Sequence, residues 1–322
     1  MNQPSAPRRH FLKTTAVLGA AGLAGCAHTG PAAPAKIAYS PNAQFELKVF
    51  EVEYRRNPQG RALMARVYQP QGAGPFPVMV DLHGGAWNAK DRTAEQPMNR
   101  AVAASGVLVV AIDLTLASQA PYPASVQDAN YGVRWVKTRA AGWNGDPTTL
   151  GLYGSSSGGH VAELLVLRPD DARYNAIPLS SAPNVNAHVA YMAARSPISN
   201  TWGRYQNAED KKRERMMNNN KAYFVPWEAI HESNPQEILE RREKVGMVPI
   251  LIMQGLLDDN MLPRLQEKFV AALKTAGADV SFTEFEGSVH EWTAEPGPQT
   301  TRAQQMVKAF IAKQMAAGRR AA

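Results

Sequence analysis

The sequence predicts an α/β protein built on a mostly parallel, doubly wound sheet with helices on both faces. Short runs of consecutive apolar residues, such as VPILIMQG at 248–255, alternate along the chain with longer segments of helical periodicity. Strands that are buried on both faces have such continuous apolar runs. Their alternation with helices is typical of a doubly wound sheet, and no repeat period interrupts the pattern in the 322 residues.

The predicted elements follow one another in a regular order. The first two strands, at 47–54 and 62–70, alternate apolar and polar residues as an opening antiparallel pair does. The other predicted elements are strands at 76–84 and 106–113, a helix at 125–141, a strand at 149–154, a helix at 157–167, strands at 188–198 and 248–255, a helix at 263–277, a strand at 279–287 and a helix at 299–317.

An insertion at about 196–245 breaks this alternation. It is polar, helical only in parts, and lies between two strands, so it is expected to project over the edge of the sheet as a cap or lid. Its aromatic side chains either line a substrate pocket or fix the insertion to the body of the domain, and for each one the second role is favoured. These aromatic residues are Trp202, Tyr205, Tyr223, Phe224 and Trp227.

Composition restricts the classes of partner and cofactor. The formal net charge of +7 is spread over segments in which basic and acidic residues alternate, so no nucleic-acid partner is expected. Cys26 is the only cysteine, which excludes an intramolecular disulfide and a cysteine-based metal site. No cofactor and no metal ion are expected, and the oligomeric state is left open.

The N-terminal residues have the order of a bacterial export signal: a charged front, an apolar stretch at 16–24 and small residues before Cys26. RRHFLK, with Arg8 and Arg9, resembles the twin-arginine export motif, although Pro7 stands where that motif usually has Ser or Thr. LAGC resembles the lipobox of bacterial lipoproteins, which implies that Cys26 carries a lipid anchor. The alternative is a cleaved signal in which Cys26 has no role.

These features predict three segments. Residues 1–25 form the export signal, residues 26–45 a Pro/Ala-rich tether, and residues 46–320 the folded domain with its insertion. The expected location is a membrane surface on the periplasmic or extracellular side, reached by the twin-arginine route.

The stretch GLYGSSSGG indicates a nucleophile. Only Ser156 among the three adjacent serines has glycine both two places before it, Gly154, and two places after it, Gly158. A G-x-S-x-G sequence between a strand and a helix is typical of a nucleophile elbow, where the serine is held in a strained turn at the carboxyl edge of a sheet. The sequence therefore predicts Ser156 as the nucleophile.

A serine hydroxyl needs a base, and the base needs an acid that holds its tautomer. On a fold with this elbow the chain order is serine, acid, histidine. Asp258 or Asp259 follows one buried strand, and His290, the only histidine beyond them, follows the next strand. Spacing alone leaves the two aspartates open.

Five motifs resemble the carboxylesterase type of α/β-hydrolase, close to its hormone-sensitive-lipase-like and kynurenine-formamidase-like branches. They span residues 75–295 in the family's order: DLHGGAWNAKDR, YPASVQDANYGVRWVK, WNGDPTTLGLYGSSSGG, QGLLDDNMLP and SVHEW. The resemblance implies an α/β-hydrolase fold and selects Asp258, three residues after a glycine, as the acid. The sequence departs from the family at Ser155 and Ser157, which replace Asp and Ala, and at Ala86, which replaces a third glycine.

The resemblance also implies a mechanism and further roles. An acyl-enzyme would form on Ser156, and an oxyanion hole would be built from backbone N–H groups of Gly85, Ala86 and Ser157, with Gly84 beside them. His83 is expected to brace that loop, and Asp128 to be a structural hydrogen-bond acceptor.

The predicted function is hydrolysis of small ester substrates by a serine carboxylesterase. The alternatives are an amidase, a formamidase or a serine peptidase on the same fold, and a lipoprotein that binds without catalysis.

Overall fold

The computed structural model describes residues 38–321. The predictions for Arg8, Arg9 and Cys26 therefore lie outside the described residues. None of the helices within residues 38–321 is both long and apolar enough to cross a membrane.

Within this described range, eight strands form a single mixed sheet in the order β1-β2-β4-β3-β5-β6-β7-β8. β1 pairs antiparallel with β2 and β2 with β4, whereas every other pairing is parallel. The strands are β1 (Leu47–Arg56), β2 (Ala62–Pro70), β3 (Val78–Leu82), β4 (Leu108–Ile112), β5 (Gly151–Ser155), β6 (Met192–Arg195), β7 (Ile250–Gly255) and β8 (Val280–Phe285). The predicted fold class is confirmed.

Helices cover both faces of this sheet, as the apolar runs predict. β3, β4, β5 and β7 are buried along their whole length because helices pack on each side. The α-helices are α1 (Gln96–Ala104), α2 (Ala124–Arg139), α3 (Ser157–Leu167), α4 (Thr201–Asp210), α5 (Glu214–Tyr223), α6 (Ala229–Glu232), α7 (Pro235–Glu240), α8 (Pro263–Thr275) and α9 (Pro298–Ala316).

Two apolar clusters divide the core at the sheet. One joins the inner faces of α2, α3 and α8 to the sheet and continues into the insertion, where Ile230 and Ile238 belong to it. The other joins α1 and α9 to the opposite face through residues such as Val102 and Ile311. The sheet is thus the central layer of a three-layer domain.

The structure differs from the sequence prediction at α1 and β6. α1 has only three buried apolar residues in nine, Met98, Val102 and Ala103, which is too short a pattern to stand out. β6 is four residues long instead of the eleven predicted at 188–198. His188 precedes this strand and pairs with Asp170.

The C-terminal end of the predicted tether, residues 38–45, contacts the domain. The Tyr39 hydroxyl lies 2.8 Å from the Ser105 hydroxyl. The Phe45 ring packs edge-to-face on Phe76, with 5.2 Å between ring centroids.

Candidate active site

The candidate site lies at the carboxyl edge of the parallel part of the sheet. The loop after β3 carries His83 to Trp87, Ser156 follows β5, Asp258 follows β7 and His290 follows β8. Because β3, β5, β6, β7 and β8 are consecutive parallel neighbours, their carboxyl ends meet at one edge. Ligands of open α/β sheets bind at this edge.

The turn between β5 and α3 has the strain of a nucleophile elbow. Ser156 has φ 51° and ψ −116°, a left-handed conformation that is unfavourable for a side chain with a Cβ. A Cβ on Gly158 would lie 1.9 Å from the Leu82 carbonyl oxygen, and one on Gly154 would lie 2.7 Å from the Gly158 carbonyl oxygen. Close backbone approach therefore requires both glycines of the motif.

Ser156, His290 and Asp258 form one hydrogen-bonded chain. His290 Nε2 lies 2.8 Å from Ser156 Oγ, and His290 Nδ1 lies 2.8 Å from Asp258 Oδ2. Since Nδ1–H donates to the carboxylate, Nε2 is free to accept the proton of the Ser156 hydroxyl. Ser156 and Asp258 are both buried, whereas the His290 side chain between them is 11% exposed.

The structure distinguishes the two candidate acids. Asp258 Oδ1 accepts backbone N–H bonds of 2.9 Å from both Asn260 and Met261, and Oδ2 accepts from the Gln254 amide at 3.1 Å. Burial acts to raise the pKa of Asp258, but the hydrogen bond and charge of His290 and the backbone donors hold it below its usual value. The Asp259 side chain is 64% exposed and pairs with Arg213.

The loop after β3 has an unusual backbone with three consecutive positive φ angles. They are 107° at Gly85, 51° at Ala86 and 60° at Trp87. The positive φ of Ala86 fits the glycine that the family resemblance expects at this position, because a left-handed backbone carries least strain in a residue without a Cβ. Gly84 lies against the elbow: a Cβ there would be 3.3 Å from Ser156 Cβ.

Backbone N–H groups of the loop after β3 and of the first residue of α3 are the candidate oxyanion donors. Within residues 38–321, the N–H groups of Gly85, Ala86 and Ser157 donate no hydrogen bond to protein. The Ser157 hydroxyl accepts the Trp87 backbone N–H at 3.1 Å and so ties this loop to the elbow. Buried His83 braces the loop from the other side, donating from Nδ1 to the Gly84 carbonyl at 2.8 Å and accepting the Leu114 N–H at Nε2.

Asp128 lies away from this constellation, on α2. It accepts from the Arg55 guanidinium and from the Thr115 backbone N–H at 2.7 Å. These contacts join α2 to β1 and to the loop after β4, so Asp128 has the contacts of a structural hydrogen-bond acceptor.

Ser155, Glu95 and Arg195 form a buried ionic network behind the site, which the sequence pattern does not predict. The Ser155 hydroxyl donates to Glu95 Oε1 at 2.6 Å, and Arg195 Nη2 donates to the same oxygen at 2.9 Å. The other terminal nitrogen of Arg195 donates to the His290 carbonyl oxygen. Glu95 and Arg195 are both under 5% exposed. The sequence feature that could have indicated this network is Arg195, a charged residue at the end of the apolar strand β6, because a buried charge requires a partner.

The insertion is joined through Trp87 to residues 83–87, which we call the oxyanion loop after the role that the family resemblance implies. The indole stacks on Tyr223 with 4.6 Å between ring centroids and an interplanar angle of 8°, and meets Phe224 edge-on at 5.1 Å. Its Nε1–H donates to His160 Nδ1, and His160 Nε2 donates to the Ser233 carbonyl. Tyr223 and Phe224 thus fix the insertion to the body of the domain.

The other three aromatic residues of the insertion pack on one another. Tyr205 stacks on Trp202 at 5.7 Å and meets Trp227 edge-on at 4.8 Å. Their contacts stabilise the insertion itself.

A cleft of about 600 Å³ opens between the site and the insertion. Ala86 and His290 line it from the catalytic side, so a molecule in the cleft meets both the oxyanion loop and the histidine. The remaining lining residues are Arg204, Arg213, Glu214, Arg215, Met216, Asn219, Asp259, Asn260 and Glu291.

Comparison with curated proteins finds bacterial esterases. Esterase LipQ of Mycobacterium tuberculosis (strain H37Rv) is 27% identical over 262 residues, which are 78% of this chain and 58% of LipQ. Carboxylesterase NlhH of M. tuberculosis (strain CDC 1551) is 36% identical over 102 residues, which are 31% of this chain and 32% of NlhH. The alignments thus span about a third to somewhat over half of these relatives.

Solved structures share the fold. Esterase 2 of Thermogutta terrifontis with bound propionate has a TM-score of 0.64 at 20% identity, over 84% of this chain and 94% of that one. Esterase B of Lactobacillus rhamnosus has a TM-score of 0.72 at 16% identity, over 85% of this chain and 87% of that one. At such identities the likeness establishes the α/β-hydrolase fold.

The family model BD-FAE matches residues 66–273, well over half of the chain, and these residues include the oxyanion loop, the elbow and the acid loop. The resemblance to hormone-sensitive-lipase-like enzymes is thereby confirmed at the level of the family. The chain belongs to the BD-FAE family of hormone-sensitive-lipase-like α/β-hydrolases.

Proposed function

We propose that this protein is a carboxylic ester hydrolase that works through an acyl-enzyme on Ser156. The observation that carries the proposal is the chain of two 2.8 Å hydrogen bonds from Asp258 through His290 to Ser156. The esterases among its relatives support the choice of an ester as the substrate.

Acylation follows from the positions of the three side chains. His290 Nε2 takes the proton of the Ser156 hydroxyl as Oγ bonds to the ester carbonyl carbon, and the carbonyl electron pair moves to its oxygen. Collapse of this intermediate breaks the bond to the alcohol oxygen, which leaves with the proton from His290. Throughout, the Asp258 carboxylate holds the imidazole in place and stabilises its charged form.

Deacylation repeats these steps with water. Water gives one proton to His290 as its oxygen bonds to the acyl carbon. Collapse then releases the carboxylic acid and returns the proton to Ser156 Oγ. In both halves the N–H groups of Gly85, Ala86 and Ser157 would stabilise the oxyanion, and loss of one such donor typically lowers turnover by about 10²- to 10³-fold.

Replacing the nucleophile tests the proposal. We expect Ser156→Ala to lower kcat for 4-nitrophenyl butyrate by about 10⁴-fold or more, because the members of such a triad act as a unit. The variant should also lose labelling by a fluorophosphonate probe. Ser180→Ala, which changes an exposed serine in the loop before β6, is the matched control and should retain activity and labelling. Wild-type turnover in the Ser156→Ala protein would contradict the assignment.

We also propose, from the sequence alone, that the protein is exported by the twin-arginine route and held on a membrane surface by a lipid on Cys26. The twin arginine and the LAGC sequence support this proposal. Mass spectrometry of the protein purified from membranes should find Cys26 at the N-terminus with a diacylglycerol mass. An unmodified N-terminus beyond Cys26 would contradict the anchor.

A further inference from the structure

Arg204 is a buried cation beside the candidate active site. It lies on α4 in the insertion, is 1% exposed, and borders the cleft that Ala86 and His290 also line. Its guanidinium carbon lies 5.6 Å from the centroid of the Trp87 ring. Its Nε donates to Asn260 Oδ1 at 2.7 Å, and its Nη1 lies 3.4 Å from Asn220 Oδ1.

The contacts of Arg204 are with neutral groups. In the described part of the chain no carboxylate lies within ion-pairing distance of it. The charge that raises its pKa is that of Asp258, whose two oxygens are already occupied by His290, Gln254 and two backbone N–H groups. Burial lowers the pKa of Arg204 to about 10, partly offset by the Asp258 charge, so the guanidinium remains protonated at neutral pH.

The three carboxylates that line the cleft within residues 38–321 do not pair with Arg204. Asp259 pairs with Arg213, and Glu291 pairs with Lys90 at 2.6 Å. Glu214 and Arg215 are exposed at the cleft and form no ion pair within residues 38–321. A buried charge without a partner is destabilising, and a carboxylate supplied by a ligand would offset that penalty.

We propose that Arg204 binds a carboxylate of the substrate, and that the preferred substrates are esters carrying a free carboxylate in their acyl or alcohol part. The inference rests on the proposed esterase function and assigns a substrate class to the same site. Arg204 has three properties of a carboxylate-binding group. It is held by neutral acceptors, its guanidinium lies over the Trp87 ring, and it borders the cleft that Ala86 and His290 also line.

Matched esters test the proposal. For the acyl part, the mono-4-nitrophenyl ester of glutarate is compared with 4-nitrophenyl pentanoate. For the alcohol part, the butyrate ester of 3-hydroxybenzoate is compared with phenyl butyrate. In the wild type we expect kcat/KM to favour the carboxylate-bearing member of at least one pair by about 10- to 100-fold, as a charge-assisted hydrogen bond provides.

Arg204→Met should abolish that preference while hydrolysis of the neutral esters changes only a few-fold, and Arg204→Lys should retain part of it. Arg100→Met, which removes an exposed arginine on α1, is the control and should leave the ratio unchanged. A wild type without preference in either pair would overturn the proposal. So would an Arg204→Met protein that loses activity on both members equally, because a residue that only positions the Asp258 loop through Asn260 predicts that result.

A binding measurement separates this inference from the esterase proposal. Calorimetry with the Ser156→Ala protein, without turnover, compares monomethyl glutarate with methyl pentanoate for the acyl part and the butyrate ester of 3-hydroxybenzoate with phenyl butyrate for the alcohol part. Tighter binding of a carboxylate-bearing ester that disappears in Ser156→Ala/Arg204→Met supports the carboxylate site even if no ester is hydrolysed. Equal binding with and without Arg204 overturns the carboxylate site even if the wild type hydrolyses neutral esters.

Discussion

Asp258 and Asp259 are chemically identical neighbours in very different surroundings. Asp258 is buried and accepts hydrogen bonds from His290, two backbone N–H groups and an amide, whereas the Asp259 side chain is 64% exposed and pairs with Arg213. Sequence spacing after β7 identified the pair. The choice between the two aspartates required the resemblance to a family, because they are adjacent in one loop and spacing does not show which side chain points inward.

The pair gives a prediction with a built-in control. Asp258→Asn should lower kcat by about 10⁴-fold, because an amide no longer holds His290 in the tautomer that accepts the Ser156 proton. Asp259→Asn should change kcat by less than a few-fold, since it removes only an exposed ion pair. Steady-state kinetics with 4-nitrophenyl butyrate measure both. Equal losses in the two variants would reject the distinction.

At the scale of elements, most strands were predictable, but the side-chain contacts between distant segments of the chain were not. Continuous apolar runs predicted β3, β4, β5 and β7, because helices on both sides remove these strands from water. Glu95 and Arg195 are 100 residues apart, however, and periodicity carries no information about such a meeting. The same holds for Trp87 and Tyr223, which meet where the insertion contacts the loop after β3.

The network of Ser155, Glu95 and Arg195 holds the histidine loop to β5 and β6. Arg195→Met should destabilise the fold by about 3–5 kcal/mol, because it leaves the buried Glu95 charge without its partner. It should also lower kcat more than it changes KM, because the His290 carbonyl loses its donor.

The double variant Glu95→Leu/Arg195→Met separates these effects. It should recover much of the lost stability, because no buried charge is left unpaired, but it should not recover kcat. Urea unfolding and steady-state kinetics measure the two quantities. Recovery of kcat together with stability would show that the network has no positioning role.

For the whole molecule, the fold class and family could be predicted because the α/β alternation and five ordered motifs agree with one another. For the insertion, the sequence predicted only its approximate bounds, from the break in the α/β alternation. Its arrangement depends on aromatic contacts within it and with Trp87, which composition does not specify. Arg204 was one of several arginines in a polar segment, and only the folded chain distinguishes it by its burial.

The position of Trp87 constrains how specificity in this protein can diverge. Its backbone N–H donates to the Ser157 hydroxyl, and its ring faces Tyr223, Phe224 and Arg204 of the insertion. A change in the insertion therefore alters the support of the loop at 83–87, which carries two of the proposed oxyanion donors. Chimeras that graft a relative's insertion onto this domain would inherit its substrate range only if the indole and its partners were transplanted together.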